Sequence, residues 1–553
     1  MPCIDYSSRI VSLSLSALNT MGKGGQGSSR APHAQQSKFR FLHPQPVPAD
    51  SRLKLYTMDE VAKHDDKDDL WLVIDDLVYD ATRLYTSHPG GNVIATWAGR
   101  DASDVFRVWH LPEVRKRLTT YLIGRVPPPQ RTSQYETEKR ALFEHVEKSG
   151  LYELSVSWYV QAFVIPYALI ALGAASPFLT GNFWLLMLGA VTLAEGWHQL
   201  AFIGHDMLHN QILRVPNQAL AFGVMIGTLS MGITGSWWKY THNMHHATVN
   251  EWERDPDITH MPLIGVTSKM FMHKRSRKLA WYEELAMKLF VPFQHLLYLP
   301  IMIFSRFNLY IQGILLLIKG EVPTMPGQKY HHGLMFRFFE LKAVITFLCW
   351  TNYLFYYVSV LHDTPTAIWF FVACHLYSGV LGVQITLSHW DRPMHSLLEK
   401  GDRETGALTF TERPGIDGPG TVAAQEHGHV NDEHEWVFQQ STTGHNIDNS
   451  KFIDYYFGGL NYQIEHHILP GVPRHNLGEL KKLVEPFCER WGIPYQSSHP
   501  VGALMSLMRS MRSVAEQVQY YDMVEEKVAK ALEEKKLHDA QRAAERASRL
   551  KAE

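Results

Sequence analysis

The sequence predicts a mainly α-helical membrane protein with a small α+β unit toward its N-terminus. Three observations predict it. The middle of the 553-residue chain holds apolar runs about long enough to cross a bilayer. A stretch from Lys54 alternates apolar residues with turn residues in the manner of paired strands. Both ends are polar, so an ordinary hydrophobic content of 45% averages over unlike parts.

Residues 1–50, rich in Ser, Gly, Gln and Pro, read as a disordered tail. They lack the charged start and apolar run of a secretory signal. Met21 opens "MGKGGQG", an alternative start or a Gly-rich tail whose position inside the chain argues against myristoylation. As a dinucleotide fingerprint it has the wrong spacing and follows no strand.

Residues 51–126 form the first folded unit. "WLVI" and "LVYD" flank Asp75 and Asp76 as a short hairpin. In "SHPGG", Pro89, Gly90 and Gly91 force a sharp turn that fixes His88 at the mouth of a loop. A second histidine, His110, follows 22 residues on. Two neutral imidazoles facing each other across an apolar slot are one way to hold haem iron from both sides. A turn histidine and an unrelated surface histidine are the other reading of the same pair. The acidic run Asp65, Asp66, Asp68 and Asp69 either steers a basic redox partner or is a solvated turn. The unit closes at "GRVPPPQRT", and residues 127–150 read as a linker, stiffened by three prolines.

The membrane unit spans residues 151–500. Runs at 156–175 and 183–204 are separated only by a short polar connection, which implies an antiparallel helical hairpin; 341–361 and 366–387 repeat the arrangement. The expected architecture is four transmembrane helices in two hairpins plus cytosolic helices. Stretches 217–235 and 290–318 are interrupted by polar residues, Gly and Pro and are read as lying in the interface plane. Lys269, Lys274, Arg275, Arg277, Lys278 and Lys288 place the loop between them on the cytosolic side. Residues 501–553 read as a charged helical tail, solvated or self-associating.

Charge and cysteines exclude some classes. With 53 basic and 55 acidic residues, the net charge is −2, and no basic stripe with interleaved aromatics argues for a nucleic-acid partner. Cys3, Cys349, Cys374 and Cys488 are widely spaced, which suggests neither a disulfide framework nor a thiolate metal site and fits a cytosol-facing environment.

The histidines carry the chemistry. "HDMLH" puts His205 and His209 one turn apart on one helix face, and "HNMHH" spaces His242, His245 and His246 at i, i+3, i+4. "QIEHH" repeats that spacing with Gln463, His466 and His467. A single box has a bland explanation as a surface or core pair. Three boxes on one side of a membrane offer seven imidazoles, too many for one tetrahedral zinc and enough for two metals.

The HPGG turn, "WLVIDDLVYD" and "GRDASDVF" resemble the cytochrome b5 family over about residues 52–126. The resemblance implies haem b with His88 and His110 as axial ligands. The boxes, with "SWWKYTHNMHH", "DPDITHMP", "FGGLNYQIEHH" and "LPGVPRHNL", resemble the front-end lipid desaturases fused to cytochrome b5, over about residues 52–500. That resemblance implies two non-haem iron ions held by His205, His209, His242, His245, His246, His466 and His467. It adds His389 in "TLSHWDRP" as a further ligand and leaves Gln463 either a metal contact or a hydrogen-bonding support. His198 is expected to pack or to guard access. His331, His332, His395, His427, His429 and His434 are given no role. Trp237, Trp238 and Trp390 either line the substrate entrance or form an interfacial belt.

The implied activity is insertion of a double bond into a long-chain, polyunsaturated fatty-acyl lipid. Dioxygen is the oxidant, and electrons come from the fused haem unit and, before it, a cytochrome b5 reductase. The substrate is an acyl-CoA or phospholipid-linked chain, or a ceramide, and the expected location is the endoplasmic reticulum with the haem unit and boxes facing the cytosol. Rival readings are a sphingolipid delta-8 desaturase, a lipid hydroxylase, a membrane-anchored haem electron carrier and a histidine-zinc intramembrane hydrolase.

Overall fold

A computed structural model describes residues 53–550, apart from 111, 128–133, 214, 253, 260–262, 269, 271–284, 286–288, 326 and 395–434. The N-terminal tail, the six basic residues of the 269–288 loop and the histidines at 395, 427, 429 and 434 lie outside the described residues.

The N-terminal unit is built on a small mixed sheet. Strands β1 (Lys54–Leu55), β2 (Asp65–Asp66), β3 (Asp69–Ile74), β4 (Leu77–Asp80) and β6 (Leu122–Arg125) lie in the order β1-β6-β4-β3-β2, and β5 (Arg100–Asp101) pairs with β3. The expected hairpin is β3 and β4, in register from Trp71 opposite Asp80 to Ile74 opposite Leu77. Its two turn residues, Asp75 and Asp76, both have positive φ, 49° and 62°, the geometry that follows strand twist in a two-residue hairpin. Asp75 accepts from Arg107 and Arg115, which fastens the turn to helix α1 (Ser103–Trp109) and to the turn of helix after it.

Residues 127–150, read as a linker, hold a helix, α2 (Gln134–Lys148), with Tyr135, Lys139, Phe143 and Val146 buried. Its apolar residues recur at helical spacing and pack between the N-terminal unit and the C-terminal part of the chain, which is why the segment after the prolines is not extended.

The membrane unit begins with an antiparallel pair, α3 (Val156–Leu179) and α4 (Phe183–Leu208). Asn182 caps α4 by accepting from the backbone of Trp184 and Leu185. Close approach of the pair needs glycine: a Cβ on Gly173 would run into Leu193 N, and one on Gly189 into the Ser176 hydroxyl. Helix α5 (Gly235–Ala247) follows, and α6 (Gln294–Ile303) and α7 (Ser305–Lys319) form a pair bent by 66°. Then come α8 (Gly333–Leu361), α9 (Thr364–Ser378) and α10 (Val380–Leu387).

Among the described residues three stretches are long and apolar enough to cross a membrane: Val156–Leu179, Gly333–Leu361 and Thr364–Leu387. The bent pair over Val291–Lys319 would make a fourth if it counts as one span.

Helices α11 (Trp436–Thr442), α12 (Gln463–Ile468) and α13 (Leu477–Trp491) return the chain to the ends of the long helices. Strands β7 (His445–Ile447) and β8 (Gln496–Ser498) pair in parallel nearby. The expected tail is helix α14 (Pro500–Leu550). Its first part is not merely solvated: Ala503, Leu507, Met511, Val514 and Val518 are buried against Val291, Tyr298 and Trp390. The 4, 4, 3, 4 spacing of those residues is an apolar stripe among charges.

Candidate metal and haem centres

The N-terminal unit brings His88 and His110 together, with ring centroids 6.0 Å apart and the rings tilted by 55°. Each ring is oriented by the backbone: His88 Nδ1 lies 3.3 Å from Gly91 O and His110 Nδ1 3.1 Å from Phe106 O. Donation from Nδ1 leaves both Nε2 atoms free as acceptors. The separation suits one metal ion between two imidazoles, since metal–nitrogen bonds of about 2 Å are to be fitted on each side. Gly90 is required at the turn, because a Cβ there would sit 2.8 Å from His88 Cε1. Burial lowers both imidazoles, His110 to about 4 with His88 as the second cause, so both are neutral as haem ligation needs. The donor set fits haem b.

The three boxes converge at one end of the long helices. His205, His209, His242 and His466 offer ring nitrogens that all lie within 4.8 Å of one another; His245, His389 and His467 form a second such group. His246 stands between them, its ring 4.8 Å from His209 and 4.1 Å from His467. Contacts of 3.1 Å link Nε2 of His205 to His466, His466 to His246, and His246 to His242. Gln463 Nε2 lies 3.2 Å from His389 Nε2. The structure thus brings together His205, His209, His242, His245, His246, His389, Gln463, His466 and His467.

The supporting residues were not visible in the sequence. Asp255 accepts from His245 Nδ1 at 2.9 Å, and Gln440 Oε1 and Thr443 O accept from His467 and His389 at 2.9 Å and 3.0 Å. Asp206, beside His205 Nδ1, is itself held by the Tyr159 hydroxyl at 2.9 Å and by Arg474 Nε at 2.6 Å. Each such contact fixes a tautomer and turns Nε2 inward. Both ring nitrogens of His209, Nε2 of His467 and Nδ1 of His246 and His466 are buried without a hydrogen-bond partner. The unpartnered nitrogens of His209 and Nε2 of His467 belong to the two clustered groups, and a metal ion in each would satisfy them. Burial, then neighbouring imidazoles, hold His246, His466 and His467 well below the ordinary range, so they are neutral. His245 differs: burial lowers it, but Asp255 and Asp257 outweigh that and push it up to about 9, so metal binding there displaces a proton.

A cavity opens against this cluster. His205, His242, His245, His389 and Gln463 form part of its wall, and Ala201, Leu208, Met231, Ile233, Met302 and Leu309 continue it. Trp237 and Trp390 are only 2% and 3% exposed and line it, which excludes an interfacial belt for them; Trp238 lines it too and stacks on His242 at 4.1 Å. His198 packs, its Nε2 2.8 Å from Gln384 Oε1. His331 and His332 lie in a loop.

A bis-histidine haem unit, a histidine-rich dimetal cluster and an adjoining apolar cavity define an oxidoreductase acting on long-chain lipids. Comparison with known proteins gives the particular family. Residues 182–499 match the model of the fatty acid desaturases and residues 57–127 that of the cytochrome b5-like haem/steroid binding domain. The chain belongs to the fatty acid desaturase family, in its cytochrome b5-fused, front-end branch, and its cofactors are haem and di-iron. It is similar to a Delta(8)-fatty-acid desaturase of Helianthus annuus, 29% identical over 84% of this chain and 92% of that one. An Acyl-lipid (9-3)-desaturase of Borago officinalis is 26% identical over 84% and 94%. A Delta 8-(E)-sphingolipid desaturase of Kluyveromyces lactis is 30% identical over 65% of this chain and 56% of that one.

Proposed function

We propose that this desaturase inserts a double bond at the head-group side of a long lipid chain, and that the eight histidines of the cluster ligate its two irons while His88 and His110 ligate the haem. The observation that carries the reading is the cavity itself, mostly apolar and walled at one place by box histidines. When bound, the iron pair supplies dioxygen-dependent oxidation of an unactivated C–H bond. The chain's own residues do the rest. Asp255, Gln440 and the Thr443 carbonyl hold three imidazoles in one tautomer, and Asp206 with Arg474 and Tyr159 holds a fourth. The apolar wall excludes water and presents one stretch of methylene groups to the cluster. Gln463, beside His389, either reaches a metal or keeps that ring in place.

Most of the relatives' names point to the eighth carbon, on an acyl chain or on the sphingoid base of a ceramide, and the Borago officinalis (9-3)-desaturase points to another position on an acyl lipid. In this reading 183–204 is the fourth span, α6 and α7 lie at the interface, and the haem unit, the boxes and a reductase meet on the cytosolic side of the endoplasmic reticulum. The domains are 51–126 for haem, 127–150 for the connection, 151–500 for desaturation and 501–553 for the terminal helix. Expression in a yeast lacking such a desaturase, with fatty acids and sphingoid bases supplied separately, tests this. A new double bond located by mass spectrometry identifies the substrate; unchanged lipids in protein loaded with haem and iron would sink the proposal.

A further inference from the structure

We propose that Trp109 is the bridge by which electrons cross from the haem unit to the metal-binding histidines. This rests on the desaturase reading and goes beyond it by assigning the contact between the two centres. Trp109 is the last residue of α1 and directly precedes His110, so one turn presents both the haem-side imidazole and the indole. The indole leaves its own unit and seats against the other. Its ring centroid lies 5.6 Å from that of His209, inclined by 30°, and 5.5 Å from that of His246, edge-on at 80°. One side chain thus touches the first and second boxes while standing one peptide from a haem-side histidine. Among the described residues, no other aromatic ring of the haem unit stands against a box histidine: the neighbouring cross-unit pair, Trp97 with Trp436 at 6.3 Å, meets the site only through Trp436 Nε1 donating to Ile468 O.

The seating is held from several sides. Asn92 N donates to Gln328 Oε1 at 2.8 Å, Arg254 donates to Thr96 O at 3.1 Å, and Lys139 ties Asp104 to Glu435. The indole contact is therefore a fixed feature of the assembled chain, not a diffusive encounter, and coupling between two sites is carried by such contiguous contacts. In each transfer a ferrous haem becomes ferric and one ferric ion of the pair becomes ferrous. The indole is the medium, neither oxidised nor protonated, and two transfers serve each double bond.

The test uses the holoenzyme with Trp109→Phe and Trp109→Leu. Both are expected to keep the haem absorbance, the iron content and full reduction by dithionite. Reoxidation of ferrous haem by dioxygen and substrate, followed by stopped-flow absorbance, should slow by an order of magnitude in W109L and recover most of its rate in W109F. An unchanged W109L rate overturns the proposal, and so does equal slowing in both variants, which marks a packing defect. A second reading needs no loaded enzyme and decides the matter if W109L does not fold. In protein freed of haem and iron, Co²⁺ should quench the tryptophan emission that separates wild type from W109F; an unquenched difference overturns the contact. Wild-type protein that oxidises its haem without forming a double bond would instead defeat the desaturase reading.

Discussion

The ammonium of Lys139 lies 2.7 Å from the carboxylate of Glu435, 296 residues further along the chain, and 2.8 Å from that of Asp104 in the haem unit. The lysine side chain is 2% exposed, so three parts of the chain share one buried cation. Removing one partner of such a group costs about 3–5 kcal/mol because the remaining charges lose their compensation. Lys139→Met is expected to loosen the haem unit, seen as faster proteolysis between residues 125 and 150 with haem absorbance retained. Burial raises Asp104, but Lys139 and Arg107 outweigh it and hold the carboxyl below its ordinary 3.8. A depressed carboxyl stabilises above its unfolded pKa and loses that as pH falls through the folded value, so acid should release the unit only below about pH 4.

The two metal centres should fail separately. His88→Ala removes one of two facing imidazoles and is expected to abolish the haem absorbance while leaving non-haem iron bound. His242→Ala removes a nitrogen from the four-histidine group and is expected to abolish product and lower iron content with haem unchanged. Iron assay and visible spectra on the same samples check both, and a variant that lost both cofactors would show the centres to be interdependent.

Much of the site was legible because its histidines are periodic. On α5 the i, i+3, i+4 spacing is enough to put His242, His245 and His246 on one face, and a chain that repeats it at Gln463, His466 and His467 announces a shared cluster. His389 has no such local signal and was legible only through family resemblance. Asp206, Asp255, Gln440 and Arg474 were not, since what makes them supports is contact across the fold: Arg474 meets Asp206 over 268 residues. Helix α2 was hidden by the prolines before it, and the buried stripe of α14 by the charges that follow it in the same helix.

Asp255→Asn tests the support of the second group. Asp255 accepts from His245 and from the backbone of Asn250 and Asp257. An amide in its place offers one acceptor fewer and places a donor against the ring, favouring the wrong tautomer. Loss of such a partner lowers metal affinity by about 10- to 100-fold. Iron retention against a graded chelator should fall by that factor at the weaker of two positions, while haem content stays at the wild-type level. Equal iron retention would show that His245 is oriented without its carboxylate.

Gly204 tests the path of the substrate. It lies in α4 next to His205 and lines the cavity, and a Cβ built on it meets nothing nearer than Met231 Cε at 4.0 Å. The helix itself therefore accepts a side chain there. Gly204→Ala removes backbone freedom from the unfolded chain and is expected to raise stability by up to about 1 kcal/mol. Gly204→Leu keeps that backbone gain but extends a branched side chain into the space where methylene groups must pass the box histidines. Product should then fall steeply for long chains, with iron, haem and fold intact, because the obstruction lies in the channel and not among the ligands. Undiminished turnover by G204L would mean that the lipid reaches the cluster by another route.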